Sequence, residues 1–178
     1  MEQDSKKVEP GTLFICKGAH FKVDYLKEAI ERGAIAYISE KKYDLEDEFP
    51  HLTVSDIRLA IPLLAETFYN HPQEKLTIVG VGGTKGKTTT SYFVKAILDT
   101  YLKDQGKAPA GLISSIANYE GDGEEVAQNT TPESLDLQKH LAQMVHAGLE
   151  YAVLEVSSQA LKYHRTDRIE FDVAIFLN

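Results

Sequence analysis

The residues best suited to chemistry form a glycine-rich turn that ends in Lys87 and Thr88. Glycines let backbone N–H groups close around phosphate oxygens, a lysine ammonium reaches the outer phosphates, and a threonine hydroxyl binds Mg²⁺. An apolar run at residues 76–79 precedes the turn, and a helical pattern follows it. This order of strand, glycine turn, Gly-Lys-Thr and helix predicts a phosphate-binding loop for a nucleoside triphosphate.

The loop is a variant of the P-loop pattern G-x-x-x-x-G-K-[ST], because Val81 stands where that pattern requires its first glycine. The alternative interpretation is an ordinary glycine-rich turn with a surface lysine. The strand and the helix flank the turn in the order that a phosphate loop needs, and this order favours the functional interpretation.

Glu155 is a second candidate, since it closes an apolar strand predicted at residues 151–155. A carboxylate at that sheet edge could bind the same Mg²⁺ as Thr88, or it could be a solvated acid at a strand end. Ser157 follows at the same rim, where it could contact a ligand or cap the next helix.

Two further groups could bind an anionic ligand. Thr130 and Thr131 precede a predicted helix, so they could cap that helix, contact an anion at its N-terminus, or do both. Arg165 belongs to a short cationic run whose default interpretation is a solvated face. Its closeness in sequence to Glu155 raises the alternative that it forms paired hydrogen bonds with a phosphate or a carboxylate.

The elements that must position these residues alternate between short strands and helices, which predicts an α/β fold. We expect a small N-terminal α/β substrate-binding domain at residues 1–74, with strands near 13–16, 34–39 and 52–54 and helices at 25–32 and 56–69. Residues 75–178 are predicted to form a P-loop, ATP-binding domain with a mostly parallel sheet. Its strands are expected at 76–79, 110–114, 151–155 and 171–177, and its helices at 87–105 and 133–147.

The overall properties exclude several classes of protein. A net charge of −8 over 178 residues, with scattered cations, argues against nucleic-acid binding. No apolar run approaches the roughly 20 residues of a membrane span, and the first residues lack a signal-peptide pattern. The single cysteine, Cys16, excludes an internal disulfide and fits a reducing, cytoplasmic location, and its apolar neighbours predict that it is buried. The chain ends directly after a predicted strand, so we expect a truncated central domain.

Four ordered motifs resemble those of the Mur ligases: GTKGKTTT at 83–90, NTTPE at 129–133, EVSSQAL at 155–161 and FDVAIFLN at 171–178. Residues 4–6, 10–14 and 33–34 resemble the first domain of the same family. The resemblance implies ATP binding by Gly83, Thr84, Lys85, Gly86, Lys87, Thr88 and Thr89, with Lys87 on the γ-phosphate as the catalytic residue. It implies Mg²⁺ binding by Thr88 and Glu155, and substrate binding by Ser5, Thr130, Thr131, Ser157 and Arg165.

The resemblance also implies an activity and its cofactors. It is strongest to the ligase that uses ATP and Mg²⁺ to add the third amino acid to UDP-N-acetylmuramoyl-dipeptide, through an acyl phosphate, in peptidoglycan synthesis. Whether lysine or meso-diaminopimelate is added stays open, because the pocket for the incoming amino acid belongs to the family's third domain. The alternatives are a folylpolyglutamate or cyanophycin synthetase type of ligase, which would lack the uridine motifs, or a non-catalytic nucleotide-binding module.

Three positions depart from the family pattern. Lys85 stands where the family usually has asparagine, Gln159 where it has histidine, and Lys6 where it has arginine. The family's central domain also continues with a histidine-bearing loop and a carbamylated lysine that binds a second metal, neither of which is present in this sequence. We therefore expect the chain by itself to hold the phosphate loop yet to catalyse poorly or not at all.

Overall fold

The computed structural model describes residues 1–18, 20–45 and 47–178, which form two compact units, Met1–Ile61 and Pro62–Asn178. The division falls within helix α2 (Ile57–Phe68), at the proline inside that helix. The domain limit predicted near residue 74 lies shortly beyond α2 and stays a prediction. Among the described residues, no helix combines the length and the apolarity needed to cross a bilayer.

The first unit is built on a three-stranded parallel sheet of β1 (Thr12–Ile15), β2 (Ala34–Ser39) and β3 (His51–Thr53), in that order. Helix α1 (Val23–Glu31) connects β1 to β2, as a parallel pair requires. Its apolar residues recur at helical spacing, so Leu26 and Ala29 are buried against the sheet. The predicted α/β character of this unit is confirmed.

Cys16 lies one residue beyond β1 and is buried in this core, as its neighbours predicted. Burial in apolar surroundings disfavours the thiolate and raises the pKa of the Cys16 thiol to about 12. The thiol is therefore a packing group, and it has little nucleophilic character at neutral pH.

The second unit contains a six-stranded sheet in the order β7-β6-β5-β8-β4-β9. Its strands are β4 (Thr77–Gly83), β5 (Gly111–Ile113), β6 (Ala117–Tyr119), β7 (Glu124–Val126), β8 (Tyr151–Val156) and β9 (Val173–Leu177). Strands β5, β8, β4 and β9 are parallel, which confirms the predicted sheet type. Strands β6 and β7 form an antiparallel hairpin at one edge of the sheet.

Helices cover both faces of this sheet. On one face, Leu137, Leu141 and Met144 of α4 (Ser134–His146) pack against buried strand residues such as Ile78 and Leu154. On the other face, residues of α3 (Lys87–Asp104) pack against Val81, Leu112 and Val153. The short helix α5 (Ser158–Lys162) follows β8. Apolar residues therefore lie on both sides of each central strand, which explains the nearly continuous apolar runs in the sequence.

The extent of β4 differs from the prediction. The turn was expected to begin at Gly80, but β4 continues through Gly83, so the loop before α3 is only three residues long. Strand β4 pairs with β8 on one side and with β9 on the other, and this two-sided hydrogen bonding outweighs the low strand propensity of glycine. Gly80 also lies against the Phe171 ring, where an added Cβ would be 2.6 Å from a ring carbon.

Candidate nucleotide and metal site

The strand order brings the candidate residues to one edge of the second sheet. Strands β5, β8 and β4 are parallel neighbours, so their carboxyl ends lie side by side. Ser115 follows β5, Glu155 is the penultimate residue of β8, and Thr88 lies in the first turn of the helix after β4. This edge is where open α/β sheets bind their ligands.

Two glycines allow the chain to turn from β4 into α3. Gly83 has a φ of +130°, and an added Cβ there would lie 2.1 Å from the carbonyl oxygen of Leu177 in β9. Gly86 has a φ of +79° and is the N-cap of α3. Only glycine adopts such backbone conformations without a steric cost, and the N–H groups at the start of α3 are directed toward the loop.

The Lys87 ammonium lies over this loop. Its Nζ donates hydrogen bonds to the carbonyl oxygens of Gly83, at 3.0 Å, and Thr84, at 3.4 Å. Lys87 is half-buried, whereas Thr84, Lys85 and Thr89 are exposed. A cation beside backbone N–H groups and a helix N-terminus makes this loop suitable for binding phosphate.

Glu155 is fully buried, so the interpretation of a solvated strand-end acid is wrong. Its Oε2 accepts a hydrogen bond from Thr88 Oγ1 at 3.1 Å, and Ser115 also contacts its carboxylate. A buried carboxylate requires such partners, because its loss of solvation is otherwise costly. The Thr88 and Glu155 oxygens also fit Mg²⁺, whose adjacent octahedral ligands lie about 3 Å apart.

Thr131 is 1% exposed and joins its loop to the end of β8. Its hydroxyl donates to the carbonyl oxygen of Glu155 at 2.8 Å and accepts from the Ser157 N–H at 3.0 Å. The expectation that Thr130 or Thr131 caps the next helix is wrong, because α4 begins at Ser134 with Glu133 as its N-cap. The Thr131 hydroxyl instead forms its hydrogen bonds with the backbone of Glu155 and Ser157 at the end of β8.

Ser157 caps α5, which is one of the two roles considered for it. Its Oγ accepts from the Ala160 N–H at 3.1 Å. The other positions in this stretch are more open, since Thr130 is half-buried and Gln159 is exposed. The substrate-binding roles of Thr130, Thr131 and Ser157 stay predictions.

The two arginines of the cationic run, Arg165 and Arg168, both form ion pairs. The default of a solvated face is wrong for Arg165, which is largely buried, whereas Arg168 is exposed as that default expects. Arg165 donates from Nη1 to the carbonyl oxygen of Thr131 at 3.0 Å and forms an ion pair with Glu133 through Nη2. Arg168 instead pairs with Glu66 of α2. Arg165 thus lies beside the Thr131 loop, where a substrate role remains a prediction, while Arg168 stabilises a different part of the unit.

Ser5, the predicted contact to the uridine end of a substrate, belongs to the first unit. It is buried, and its hydroxyl donates to Glu28 Oε2 at 2.6 Å. This hydrogen bond is the main cause of the lowered pKa of Glu28. Its proposed contact with a nucleotide stays a prediction.

The sequence interpretation missed two features. Ser115 contacts Glu155, and its position just after β5 could have indicated it, because strand ends collect ligands in such sheets. The first unit also has a cavity of about 730 Å³ whose lining includes two aromatic and three cationic side chains: Phe21, Tyr43, Lys17, Lys41 and Arg58. These residues come from three separate segments, at 17–21, at 41–43 and at 58, so only the fold shows that they share a cavity.

Comparison with known proteins identifies the family. Residues 81–178, which contain the loop, Glu155 and Arg165, match the profile described as the Mur ligase middle domain. The chain belongs to the Mur ligase family. This Mur ligase chain is 46% identical over 176 residues to the UDP-N-acetylmuramyl-tripeptide synthetase of Bifidobacterium longum (strain NCC 2705), covering 98% of this chain and 33% of that protein.

Other relatives of this Mur ligase chain carry names that specify the amino acid. It is 43% identical to the UDP-N-acetylmuramoyl-L-alanyl-D-glutamate–2,6-diaminopimelate ligase of Caldanaerobacter subterraneus subsp. tengcongensis, covering 98% of this chain and 36% of that protein. It is 42% identical to the corresponding L-lysine ligase of Streptococcus thermophilus, covering 100% of this chain and 36% of that protein. The chain spans about a third of the length of the curated relatives it matches.

Solved structures agree with the sequence comparison. A 2,6-diaminopimelate ligase of this family matches with a TM-score of 0.76 and 25% identity, covering 98% of this chain and 35% of that one. The MurF ligase of Thermotoga maritima in complex with ADP matches with a TM-score of 0.56 and 25% identity, covering 99% of this chain and 36% of that one.

Proposed function

We propose that this chain is the substrate-holding and ATP-activating part of a ligase that adds the third amino acid to UDP-N-acetylmuramoyl-dipeptide. The observation that carries the proposal is the pairing of Thr88 with the buried Glu155 at the mouth of the phosphate loop. A nucleotide loop with two oxygen ligands for a metal is what phosphoryl transfer to a carboxylate requires.

The phosphate loop would hold ATP. Backbone N–H groups from Gly83 to Thr89 would surround the phosphates, with Thr84, Lys85 and Gly86 forming the turn itself. Lys87 would exchange its contacts with the loop carbonyls for the γ-phosphate, because a charged phosphate oxygen is a stronger acceptor than a carbonyl oxygen. The structure of the Thermotoga maritima relative in complex with ADP supports nucleotide binding.

Thr88 and Glu155 would hold Mg²⁺, which neutralises charge on the transferring phosphoryl group when bound. Thr88 offers a hydroxyl and Glu155 a carboxylate oxygen, both of which are the hard ligands that this ion prefers. The buried setting of Glu155 keeps its carboxylate directed at the loop.

The muramoyl-peptide substrate would lie beside this site. Thr130, Thr131, Ser157 and Arg165 lie on the segments that follow β7 and β8, and hydrogen bonds through the Thr131 hydroxyl and carbonyl join these segments. Ser5 would contact the uridine end. The relatives named for lysine and for diaminopimelate are 42% and 43% identical to this chain, so neither amino acid is favoured as the third residue.

We further propose that residues 1–74 act as the UDP-substrate-binding domain and residues 75–178 as the ATP-binding domain. The cavity of the first unit supports a ligand-binding role for the first segment, since aromatic rings can stack on a base. Its three cations, which outnumber Glu40 and Asp56 of the same lining, can pair with a diphosphate. A dependence on cellular ATP and a reduced Cys16 fit a cytoplasmic location.

In the reaction, the terminal carboxylate of the substrate attacks the γ-phosphorus of ATP and ADP leaves, which gives an acyl phosphate. The incoming amine then attacks the acyl carbon, and the tetrahedral intermediate collapses to the amide and phosphate. Lys87 and the loop N–H groups stabilise negative charge on the transferred phosphoryl group, while the substrate segments orient the carboxylate. No side-chain nucleophile is needed.

Calorimetric titration of the purified chain tests the proposal with two ligands, UDP-N-acetylmuramoyl-dipeptide and Mg·ATP. Saturable binding of both supports it. Binding of Mg·ATP alone would favour another ligase type of the same superfamily, or a nucleotide-binding module, and binding of neither would overturn the proposal. With both substrates and an amino acid present, we expect little or no amide product from this chain alone, and a normal turnover rate would contradict that expectation.

A further inference from the structure

Ser115 contacts both oxygens of the Glu155 carboxylate. Its backbone N–H donates to Oε1 at 3.0 Å, and its hydroxyl lies 3.1 Å from Oε2. Thr88 donates to the same Oε2. Ser115 therefore contacts both oxygens of the carboxylate, and Oε2 is shared with the Thr88 hydroxyl.

The Ser115 hydroxyl also lies 3.0 Å from the hydroxyl of Thr130. A serine hydroxyl has one proton, so it cannot donate to Glu155 and Thr130 at once. The carboxylate is the stronger acceptor, and the arrangement is then a chain in which Thr130 donates to Ser115 and Ser115 donates to Glu155. This chain connects the proposed substrate segment with the proposed metal ligand.

Its neighbour, Ser114, has a purely structural role. Ser114 is fully buried, its hydroxyl donates to the carbonyl oxygen of Ala117 at 2.7 Å, and it accepts from the N–H groups of Ile116 and Ala117. Ser114 thus stabilises the turn between β5 and β6. The hydroxyl of Ser115 instead contacts Glu155 and Thr130, which lie outside this turn.

We propose that Ser115 is a positioning residue that orients Glu155 toward Mg²⁺ and couples the metal site to Thr130. This inference rests on the proposed function. By holding Oε1 through its N–H and Oε2 through its hydroxyl, Ser115 restricts rotation of the carboxylate and keeps Oε2 beside Thr88. Residues that orient a metal ligand in this way contribute strongly to metal affinity without touching the ion.

The test measures ATP binding to the purified chain by calorimetry, first in EDTA and then over a series of Mg²⁺ concentrations. Ser115→Ala keeps the backbone N–H and removes only the hydroxyl. We expect its apparent Mg²⁺ affinity to fall about tenfold, while ATP affinity in EDTA stays unchanged. The thermal unfolding midpoint should fall by only about 2–4 °C, because the Ser115 N–H and the Thr88 hydroxyl still donate to Glu155. Ser115→Thr should restore the affinity, and Ser158→Ala, which removes an exposed serine on α5, should leave it unchanged.

A double-mutant cycle tests the coupling to Thr130. Thr130→Val should weaken Mg²⁺ affinity in the wild-type background and have no further effect in Ser115→Ala. If Ser115→Ala binds Mg²⁺ as tightly as the wild type, the inference is wrong while the proposed function stands. If the wild-type chain binds ATP equally well with and without Mg²⁺, the proposed metal site and this inference are both overturned.

Discussion

The hydroxyl of Thr88 and the carboxylate of Glu155 meet at 3.1 Å, although 67 residues separate them in the chain. They meet because β4 and β8 are adjacent parallel strands whose carboxyl ends lie together. Through this hydrogen bond, the first turn of α3 faces the buried carboxylate of Glu155. A divalent cation that binds both oxygens would replace their hydrogen bond.

Lys87→Ala should weaken ATP binding by about tenfold or more, because it removes a charged donor to phosphate worth about 1.5–3 kcal/mol. Calorimetry or nucleotide-dependent thermal stabilisation measures the loss. Lys103→Ala is the matched control, because it removes the same charge from an exposed position at the far end of α3. Equal ATP affinity in Lys87→Ala and wild type would exclude the proposed role of Lys87.

Gly83→Ala should destabilise the second unit by more than about 3 kcal/mol, because the new Cβ would meet the Leu177 carbonyl oxygen at 2.1 Å in a left-handed backbone conformation. Gly106→Ala is the control. Gly106 also has a positive φ, +68°, but an added Cβ there has no atom within 4 Å among the described residues, so we expect a loss of only about 1 kcal/mol. Urea unfolding compares the two, and equal losses would show that the close approach of β9 does not matter.

Glu66→Gln should destabilise the chain by about 1–3 kcal/mol at pH 7, because buried Glu66 accepts hydrogen bonds from Arg168 and His71. The Arg168 hydrogen bond is the main cause that holds the pKa of Glu66 below its ordinary value of 4.5. Because the folded pKa is the lower one, this stabilisation is present above about pH 4.5 and is lost as the pH falls through the folded pKa.

The free energy of unfolding of wild type and Glu66→Gln should therefore converge below about pH 4.5. Urea unfolding at pH 7 and at successively lower pH measures this. Glu170→Gln, at an exposed position near Arg168, should change stability by less than about 0.5 kcal/mol. A difference between wild type and Glu66→Gln that stays constant at low pH would contradict the assignment.

Cys16 should react with an aromatic disulfide reagent at least about a hundredfold more slowly in the folded chain than in urea at pH 8. Its burial blocks access, and its pKa of about 12 leaves very little thiolate. Since Cys16 is the single cysteine, the absorbance of the aromatic thiolate released from the reagent reports on this site alone. The Cys16→Ser variant gives the background rate. Rapid reaction of the folded chain would show that the first unit opens readily around β1.

Local patterns predicted most elements of the fold. The apolar runs of β5 and β8 indicate buried parallel strands, and α3 and α4 have helical spacing with clear ends. The apolar run of β9 also forms a parallel strand, but that strand lies at an edge of the sheet and exposes Val173 and Phe176. The prediction ended β4 too early because of its glycines, since the strand propensity of a residue takes no account of the strands that pair with it. Hydrogen bonds from β8 and β9 extend that strand to Gly83.

The candidate site was predictable to the extent that its residues sit in recognisable motifs. Lys87, Thr88 and Glu155 were identified because a loop and a strand end each have a local signature. Ser115 has no motif of its own, and its contact with Glu155 spans 40 residues, so the sequence alone did not indicate it. The partners of Thr131, Arg165 and Arg168 are likewise set by packing between segments.

The sequence by itself determined the alternation of strands and helices, the type of loop and the family, because these depend on residues that are close along the chain. Only the tertiary structure decided which strand ends lie together. That order places the Thr88 hydroxyl, the Ser115 hydroxyl and the Glu155 carboxylate in contact. The physical reason is that the burial of Glu155 and the direction of its oxygens depend on contacts between residues distant in the sequence.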